Sequence, residues 1–153
     1  MSATMGAGGL VVRALAPADE AAWRALWRAY LEHYETTLPD EIYATSFARM
    51  TDPAVADYHG LIALADGRPV GIAHYLFHRH GWQVADVTYL QDLFVAPETR
   101  GLGVGRALIE AVYAAADAAG RGNVYWLTQT FNASARQLYD RIGSATPFMK
   151  YRR

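Results

Sequence analysis

Three glycines at alternate positions, Gly101, Gly103 and Gly105, lie between a strand-like apolar run and a helix-like one. Glycine lets the backbone turn tightly and leaves its amide groups uncovered by a Cβ atom. The N–H groups in the first turn of a helix point the same way and have partial positive charge, which favours an anion there. Arg100 and Arg106 flank the loop and add full charges that can pair with phosphate. The segment therefore predicts a binding site for a phosphorylated ligand.

Two common phosphate-binding loops do not fit this spacing. A Walker loop ends in Gly-Lys-Ser/Thr, whereas this chain has arginine and alanine after Gly105. A dinucleotide fingerprint has the spacing G-x-G-x-x-G within an amino-terminal β-α-β unit. This loop reads G-x-G-x-G and lies about two-thirds of the way along the chain. The spacing therefore argues against an ATP–magnesium site and against an NAD site.

Two motifs together resemble a known family. The first is R-G-L-G-V-G-R at 100–106, shortly after the strand-like L-Q-D-L-F-V at 90–95. The second, N-x-x-A-x-x-L-Y-x-x-x-G, consists of Asn132, Ala135, Leu138, Tyr139 and Gly143. Over residues 84–143 the chain resembles the GNAT superfamily of acetyl-CoA-dependent N-acetyltransferases. Within that superfamily it is similar to the diamine acetyltransferases and to the small histone- and polyamine-directed enzymes.

The resemblance implies acetyl-CoA as the co-substrate, with its pyrophosphate on the loop amides and its pantetheine arm along the end of the preceding strand. In the family this strand has a β-bulge and separates from the next strand, so the N–H of Phe94 or Val95 is expected to bind the thioester oxygen. Asn132 is expected to bind the pantetheine amides, although the same side chain also suits a helix N-cap. The expected cofactor contacts are Leu93, Phe94, Val95, Arg100, Gly101, Leu102, Gly103, Val104, Gly105, Arg106, Asn132 and Ala135.

Tyr139 is expected, by the same resemblance, to be the general acid. An amine that attacks a thioester expels a thiolate with a pKa of about 8.5, and a phenol with a pKa of about 10 can donate a proton to it. The alternative is a core aromatic residue, because Tyr139 adjoins an apolar stripe formed by Leu138 and Ile142.

The general base does not carry over from the family. The diamine acetyltransferases have a glutamate where this chain has Gln91, and a glutamine cannot take a proton. Asp92, Asp86 or a histidine acting through water could replace that glutamate. The candidate catalytic residues are therefore Tyr139, Asp92 and Gln91.

Three histidines, His74, His78 and His80, would share one face if residues 69–80 form an extended strand. Such a face could be a zinc site, a proton relay or a row of solvated side chains. The chain has no cysteine and no obvious fourth ligand. We therefore expect no metal.

The region 30–43 is rich in aromatic and acidic side chains, which are the groups that attract a cationic amine. We expect the acceptor site between the first two helices and the sheet surface formed by residues 69–95. The alternative is structural, because Tyr30 and Tyr34 also fit a buried helical stripe and acids stabilise helix ends. The expected acceptor contacts are Tyr30, Tyr34, Glu35, Tyr43 and His78.

Composition narrows the class of protein. The chain has 153 residues, of which 52% are hydrophobic and 19% charged, and its net charge is −1. These values are typical of one globular domain and give no electrostatic reason to bind nucleic acid or a membrane surface. Residues 1–9 have neither a basic nor an apolar run of the kind found in signal peptides. We expect a cytoplasmic protein.

The pattern along the chain predicts a disordered tail at residues 1–8 and a single α/β domain at residues 9–153. Residues 58–65 and 69–79 are predicted to form a hairpin across Asp66-Gly67. Other strands are predicted at 10–15, 82–95, 123–130 and 148–153, with helices beginning at Pro17, at Pro39, in the glycine loop and at Asn132. The order β-α-α-β-β-β-α-β-α-β gives a mixed, mostly antiparallel central sheet flanked by about four helices, which matches the GNAT fold.

The resulting functional hypothesis is transfer of acetyl from acetyl-CoA to a primary amine of a small, polyamine-like molecule, by direct attack in a ternary complex. Two alternatives remain: an N-acetyltransferase acting on a protein or peptide, and a non-catalytic acyl-CoA-binding module. The carboxy terminus is shorter than is usual in the family, so the last strand is either minimal or completed by a partner subunit. We expect a homodimer.

Overall fold

A six-stranded sheet forms the centre of the molecule. The structure, a computed structural model, describes residues 4–5 and 9–153. The strands follow each other in chain order across the sheet, and neighbours are antiparallel except for the last pair, β5 and β6, which is parallel. Their bounds are β1 Thr4–Met5, β2 Leu10–Ala14, β3 Tyr58–Ala65, β4 Arg68–His78, β5 Val87–Val95 and β6 Val124–Trp126.

Four α-helices cover the two faces of this sheet within the described residues. They are α1 Glu20–His33, α2 Asp40–Thr51, α3 Val104–Ala118 and α4 Ala133–Ile142. On one face, Trp23 of α1 and Phe47 of α2 pack against Ile72 of β4. On the other face, Leu108 and Val112 of α3 form a second core cluster, against which α4 packs. The strand β4 is buried along most of its length because it is paired on both sides and covered on both faces.

The predicted hairpin between β3 and β4 is confirmed. Ala65 pairs with Arg68, and the two residues between them, Asp66 and Gly67, have φ values of 50° and 80°. Positive φ at both central positions is the geometry of a type I′ turn, which suits the twist of a hairpin and favours Asp-Gly.

Three predicted strands are corrected. β5 begins at Val87 and not at residue 82, because the preceding turn makes local bonds instead: the Trp82 amide donates to His80 Nδ1, and the Gln83 side chain donates to Ala85 O. β6 ends at Trp126 and does not continue to residue 130, because its neighbour β5 diverges after Leu90 and leaves no ladder to pair with. Residues 148–153 form no strand and have no strand partner, and the side chains of Phe148, Met149 and Tyr151 are exposed.

The predicted disordered tail, residues 1–8, lies mostly outside the described residues. Its Thr4–Met5 portion forms strand β1 and pairs with β2.

Candidate active site

The strand β5 has a bulge at Gln91. His74 of β4 lies opposite Asp92, but the next residue, Tyr75, lies opposite Leu90, so Gln91 has no partner. On its other side β5 pairs with β6 only as far as Leu90. The bulge and the separation of strands that the family resemblance implied are therefore present, and they open a gap beside residues 91–95.

Backbone amides of β5 point into this gap. The Ala96 amide donates to Val70 O of β4 at 2.8 Å. Because amide directions alternate along a strand, the Val95 and Leu93 amides point to the opposite edge, where β6 has diverged. Of the two residues predicted to bind the thioester oxygen, Val95 has its N–H on the side of the gap and Phe94 has its N–H on the side of β4.

The glycine loop leads directly into α3. Gly101 and Gly103 have φ values of 84° and 81°, a region that other residues rarely adopt, and Gly103 is the N-cap of the helix. The first intrahelical bond runs from the Ala107 amide to Gly103 O, so the amides of the three preceding residues are free of intrahelical partners. The first turn of α3 has no acidic residue. The loop therefore presents amides and positive charge, as a phosphate group requires.

Asn132 caps α4, which contains Tyr139. The Asn132 side-chain oxygen accepts from the Ala135 amide at 3.3 Å, so the predicted N-cap role is confirmed. This bond uses only the oxygen and leaves the side-chain NH₂ group available as a donor. The Tyr139 ring packs edge-to-face against Trp126 of β6, with 5.5 Å between ring centroids. Burial raises the pKa of Tyr139, and the nearby Tyr34 adds to this effect, so the phenol remains protonated at neutral pH.

A cavity of about 520 Å³ joins these parts. It runs from the glycine loop through the gap between β5 and β6 to Tyr139 and the end of α1. All expected cofactor contacts line it except Leu102, whose side chain is exposed. Gln91 and Tyr139 line it as well, whereas Asp92 lies next to the cavity and does not line it.

Only two of the expected acceptor contacts line the cavity. Tyr30 and Tyr34 line the cavity with their rings 5.1 Å apart, but Glu35 does not. Tyr43 is only 5% exposed and packs against the rings of Trp23 and Trp27 in the core. Tyr43 was grouped with the acceptor contacts because of its position in the sequence, but its ring belongs to the packing of α1 on α2.

His78 and His80 lie away from the cavity. His78 bonds through Nδ1 to Arg79 O and through Nε2 to the Tyr125 hydroxyl, each within 2.8 Å. His80 accepts from the Trp82 amide in the turn before β5. His74, by contrast, is fully buried. Within residues 4–5 and 9–153 no group of three or more potential ligands is arranged to hold a metal ion.

Sequence reasoning missed several residues of the cavity. Those on α4 are Ser134, Gln137 and Arg141, and His33 at the end of α1 also lines it. Ser134, Leu138 and Arg141 share one helical face because they are spaced by four and three residues. That spacing from the predicted cap at Asn132 was the available signal for Arg141.

The charged side chains that line the cavity are all positive. Its charged lining consists of Arg100, Arg106 and Arg141, and no aspartate or glutamate is among its lining residues. Arg106 is paired with Glu110 at 2.8 Å, a contact that lies at the exposed surface. The described residues therefore fit an anionic, phosphate-containing molecule extended along the cavity.

The sequence profile of the Acetyltransferase (GNAT) family matches residues 20–143, which include the glycine loop, the bulged strand and Tyr139. The chain belongs to the GNAT family. It is an acyltransferase of the N-acetyltransferase type, and the predicted family and fold class are confirmed.

Relatives of this GNAT chain acetylate different amines, as their names state. It is 41% identical to the D-amino-acid N-acetyltransferase HPA3 of Saccharomyces cerevisiae over 145 residues, 94% of this chain and 90% of that one. It is 31% identical to an aminoglycoside N(6')-acetyltransferase type 1 of Stenotrophomonas maltophilia, over 67% of this chain and 65% of that one. The solved structure of AAC(6')-Iy with the bisubstrate analogue CoA-S-monomethyl-acetylneamine superimposes with a TM-score of 0.79 and 23% identity, covering 94% of this chain and 97% of that one. At that identity the structural likeness shows the fold.

No helix in the described part of the GNAT chain has the length and apolar character that crossing a membrane requires.

Proposed function

We propose that the protein transfers the acetyl group of acetyl-CoA to a primary amine of a small molecule, by direct attack in a ternary complex. The observation that supports this proposal most strongly is the continuity of one cavity from the glycine loop, through the gap beside β5, to Tyr139 and the end of α1. A donor in the loop half and an acceptor near α1 would meet beside Tyr139.

The donor half of the site is assigned to the glycine loop, β5 and α4. The loop amides and Arg100 would bind the pyrophosphate, because both present positive charge there. The Val95 amide would bind the acetyl oxygen, since it points into the gap. The NH₂ group of Asn132 would donate to the pantetheine arm while the oxygen of the same side chain caps α4.

Tyr139 is proposed as the general acid. It lines the cavity, and burial raises the pKa of its phenol, so it has a proton to give to the departing thiolate.

The proton of the acceptor amine needs a base. A primary amine with a pKa of about 10.4 is neutral in only about one molecule in 2,500 at pH 7, a cost of roughly 4.6 kcal/mol. Gln91 occupies the bulge and lines the cavity but cannot take a proton. The next residue along β5, Asp92, is the carboxylate nearest to Gln91 in the sequence, and we propose it as the base.

The acceptor is proposed to carry a carboxylate of its own. The sequence predicted a polyamine-like acceptor, but a polycation would find arginines and no acidic side chain along this cavity. An amino acid would bring a carboxylate that Arg141 or His33 could bind. The relative that is 41% identical is named a D-amino-acid N-acetyltransferase. We therefore place amino acids before polyamines, with proteins and peptides as the second candidate class.

The test is release of free CoA from acetyl-CoA in the presence of D- and L-amino acids, spermidine, an aminoglycoside and a histone-type peptide. Amino acids should give the highest kcat/KM. Arg141→Gln should raise KM for an amino acid but leave KM unchanged for the matching amine that lacks the carboxylate. Equal effects on both acceptors would remove Arg141 from the acceptor site, and a preference for spermidine would restore the polyamine hypothesis. Binding of acetyl-CoA with no CoA release from any acceptor would favour the non-catalytic module.

We also propose a homodimer, assembled beside β6. Among the described residues β6 has a strand on one side only, and the carboxy-terminal segment that follows α4 exposes Phe148, Met149 and Tyr151. Phe148→Ser should lower the mass measured by light scattering. Ile42→Ser is the control, because Ile42 is an exposed apolar residue of α2, which packs on the face of the sheet opposite α3 and α4. A monomeric wild-type protein would refute the proposal. The cytoplasmic location stays a prediction.

A further inference from the structure

A histidine outside the cavity has both ring nitrogens engaged. His74 is 0% exposed and lies in the middle of β4. Its Nε2 lies 2.8 Å from the indole Nε1 of Trp23, and its Nδ1 lies 2.8 Å from Oδ2 of Asp92. None of these three side chains lines the cavity, so binding acetyl-CoA does not explain their arrangement.

The hydrogen bonds fix the protonation of the ring. An indole nitrogen can only donate, so His74 Nε2 must be the acceptor and carries no proton. The remaining proton is on Nδ1, which donates to the Asp92 carboxylate. His74 is therefore a neutral imidazole of one defined tautomer, and Trp23 selects that tautomer.

The bulge at Gln91 makes this contact possible. Side chains alternate between the two faces of a strand, so Leu90 and Asp92 would normally share a face. Leu90 belongs to the core cluster under α3, whereas His74 packs against Trp23 and Trp27 of α1 on the opposite face. The extra residue shifts the alternation and places Asp92 beside His74.

Asp92 is enclosed by polar groups from several elements. His74 of β4 bonds to it, and Tyr30 of α1, Tyr58 of β3 and Tyr89 of β5 are near enough for its charge to raise their pKa. Burial raises the pKa of Tyr58 to about 12 and raises that of Tyr30 as well, and in both cases the Asp92 charge adds to the effect. Asp92 forms no ion pair with a lysine or arginine among the described residues, and its side chain is 13% exposed. Tyr30 lines the cavity and so connects Asp92 to it.

We infer that His74, oriented by Trp23, is a positioning residue that holds Asp92 as an ionised base for the acceptor amine. The inference rests on the proposed function. His74 engages only Oδ2, which leaves Oδ1 to take the proton, directly or through the Tyr30 hydroxyl or a water molecule.

The proton balance of the step is complete. Asp92 takes one proton from the acceptor ammonium and later releases it to solvent. The neutral nitrogen attacks the acetyl carbonyl carbon, a C–N bond forms and the C–S bond breaks with its electron pair on sulfur. The nitrogen releases its second proton to solvent, the thiolate takes one from Tyr139, and Tyr139 regains one from solvent. The net products are an amide, free CoA and one proton.

Two substitutions of His74 separate its two hydrogen bonds. The amide nitrogen of asparagine can occupy the position of Nδ1, so His74→Asn keeps the bond to Asp92 and loses the one to Trp23. The amide of glutamine reaches the position of Nε2, so His74→Gln keeps the bond to Trp23 and loses the one to Asp92. Both variants place a neutral amide in the same buried site, so each is the control for the stability of the other.

The inference predicts different outcomes for the two variants. A carboxylate that loses a hydrogen-bond donor holds its proton more tightly, so the acid limb of the kcat/KM–pH profile should move to higher pH in His74→Gln and stay in place in His74→Asn. At pH 7, kcat should fall at least tenfold more in His74→Gln, with KM for acetyl-CoA unchanged in both. Identical profiles at equal melting temperatures would show that His74 only fills the core.

Two NMR measurements need no turnover and therefore separate this inference from the proposed function. The ¹³C titration midpoint of the Asp92 carboxyl should rise in His74→Gln relative to His74→Asn. In the wild-type protein, the ¹⁵N shifts of His74 should report a neutral ring with its proton on Nδ1 at pH 7. Equal midpoints, a protonated ring or a proton on Nε2 would overturn the inference even in an active enzyme. Failure of acetyl transfer alone would overturn only the proposed function.

Discussion

Replacing Gly103 by aspartate or by asparagine separates charge from shape at the proposed pyrophosphate site. Gly103 has a φ of 81°, so a side chain there costs about 1–2 kcal/mol of backbone strain, and asparagine and aspartate tolerate this conformation best. A Cβ atom at this position would meet no heavy atom within 4 Å, so neither variant has a steric clash. The two variants share size and strain and differ by one negative charge.

The charge sets the size of the expected effect. Two unit charges about 4 Å apart repel by about 1 kcal/mol in water and by about 4 kcal/mol at an effective dielectric constant of about 20. Since about 1.36 kcal/mol is a factor of ten, Gly103→Asp should bind acetyl-CoA between about 5-fold and about 1,000-fold more weakly than Gly103→Asn. Calorimetry at low and high salt measures this ratio, which should shrink with salt because ions screen an exposed charge. Equal affinities at low salt would refute the placement of the pyrophosphate at this loop.

Three further predictions test the acid, the base and the packing. Tyr139→Phe should lower kcat by roughly 10²–10⁴ with little change in the free energy of unfolding, and a normal kcat in steady-state assays would make Tyr139 structural. Gln91→Glu should raise kcat/KM near neutral pH by placing a second base in the cavity. An unchanged kcat/KM in this variant would show that position 91 does not reach the acceptor amine. Tyr113→Phe removes the 2.6 Å bond from the Tyr113 hydroxyl to Ile142 O and should cost about 0.5–1.5 kcal/mol in urea unfolding, whereas an unchanged midpoint would show that this bond adds nothing.

The glycine loop and the cap of α4 could be predicted from sequence because their signals are local. Glycine at 101 and 103 is required by backbone conformation, and asparagine at 132 by helix capping, so residue type and spacing are sufficient. The contact between His74 and Asp92 could not be predicted in this way. It joins residues 18 positions apart, and it depends on one unpaired residue in β5 that no local pattern marks.

The two principal errors of prediction have the same cause, which is that tertiary packing and strand pairing override local sequence preference. Residues 148–153 have the composition of a strand but no ladder partner, so they form no strand and are exposed. Tyr43 was grouped with the acceptor contacts by its position in sequence, whereas packing against Trp23 and Trp27 buries it. Local composition indicates which surfaces suit an amine, but the packing of α1 on α2 decides which side chains reach the cavity.

The most direct test of the central claim is the mass of the product formed from acetyl-CoA labelled with ¹³C in its acetyl group. The account predicts that incubation with an amino acid yields one labelled N-acetyl product for each CoA released, and that Tyr139→Phe slows both together. Release of CoA as free labelled acetate, with no N-acetylated amine from any acceptor of the panel, would contradict it.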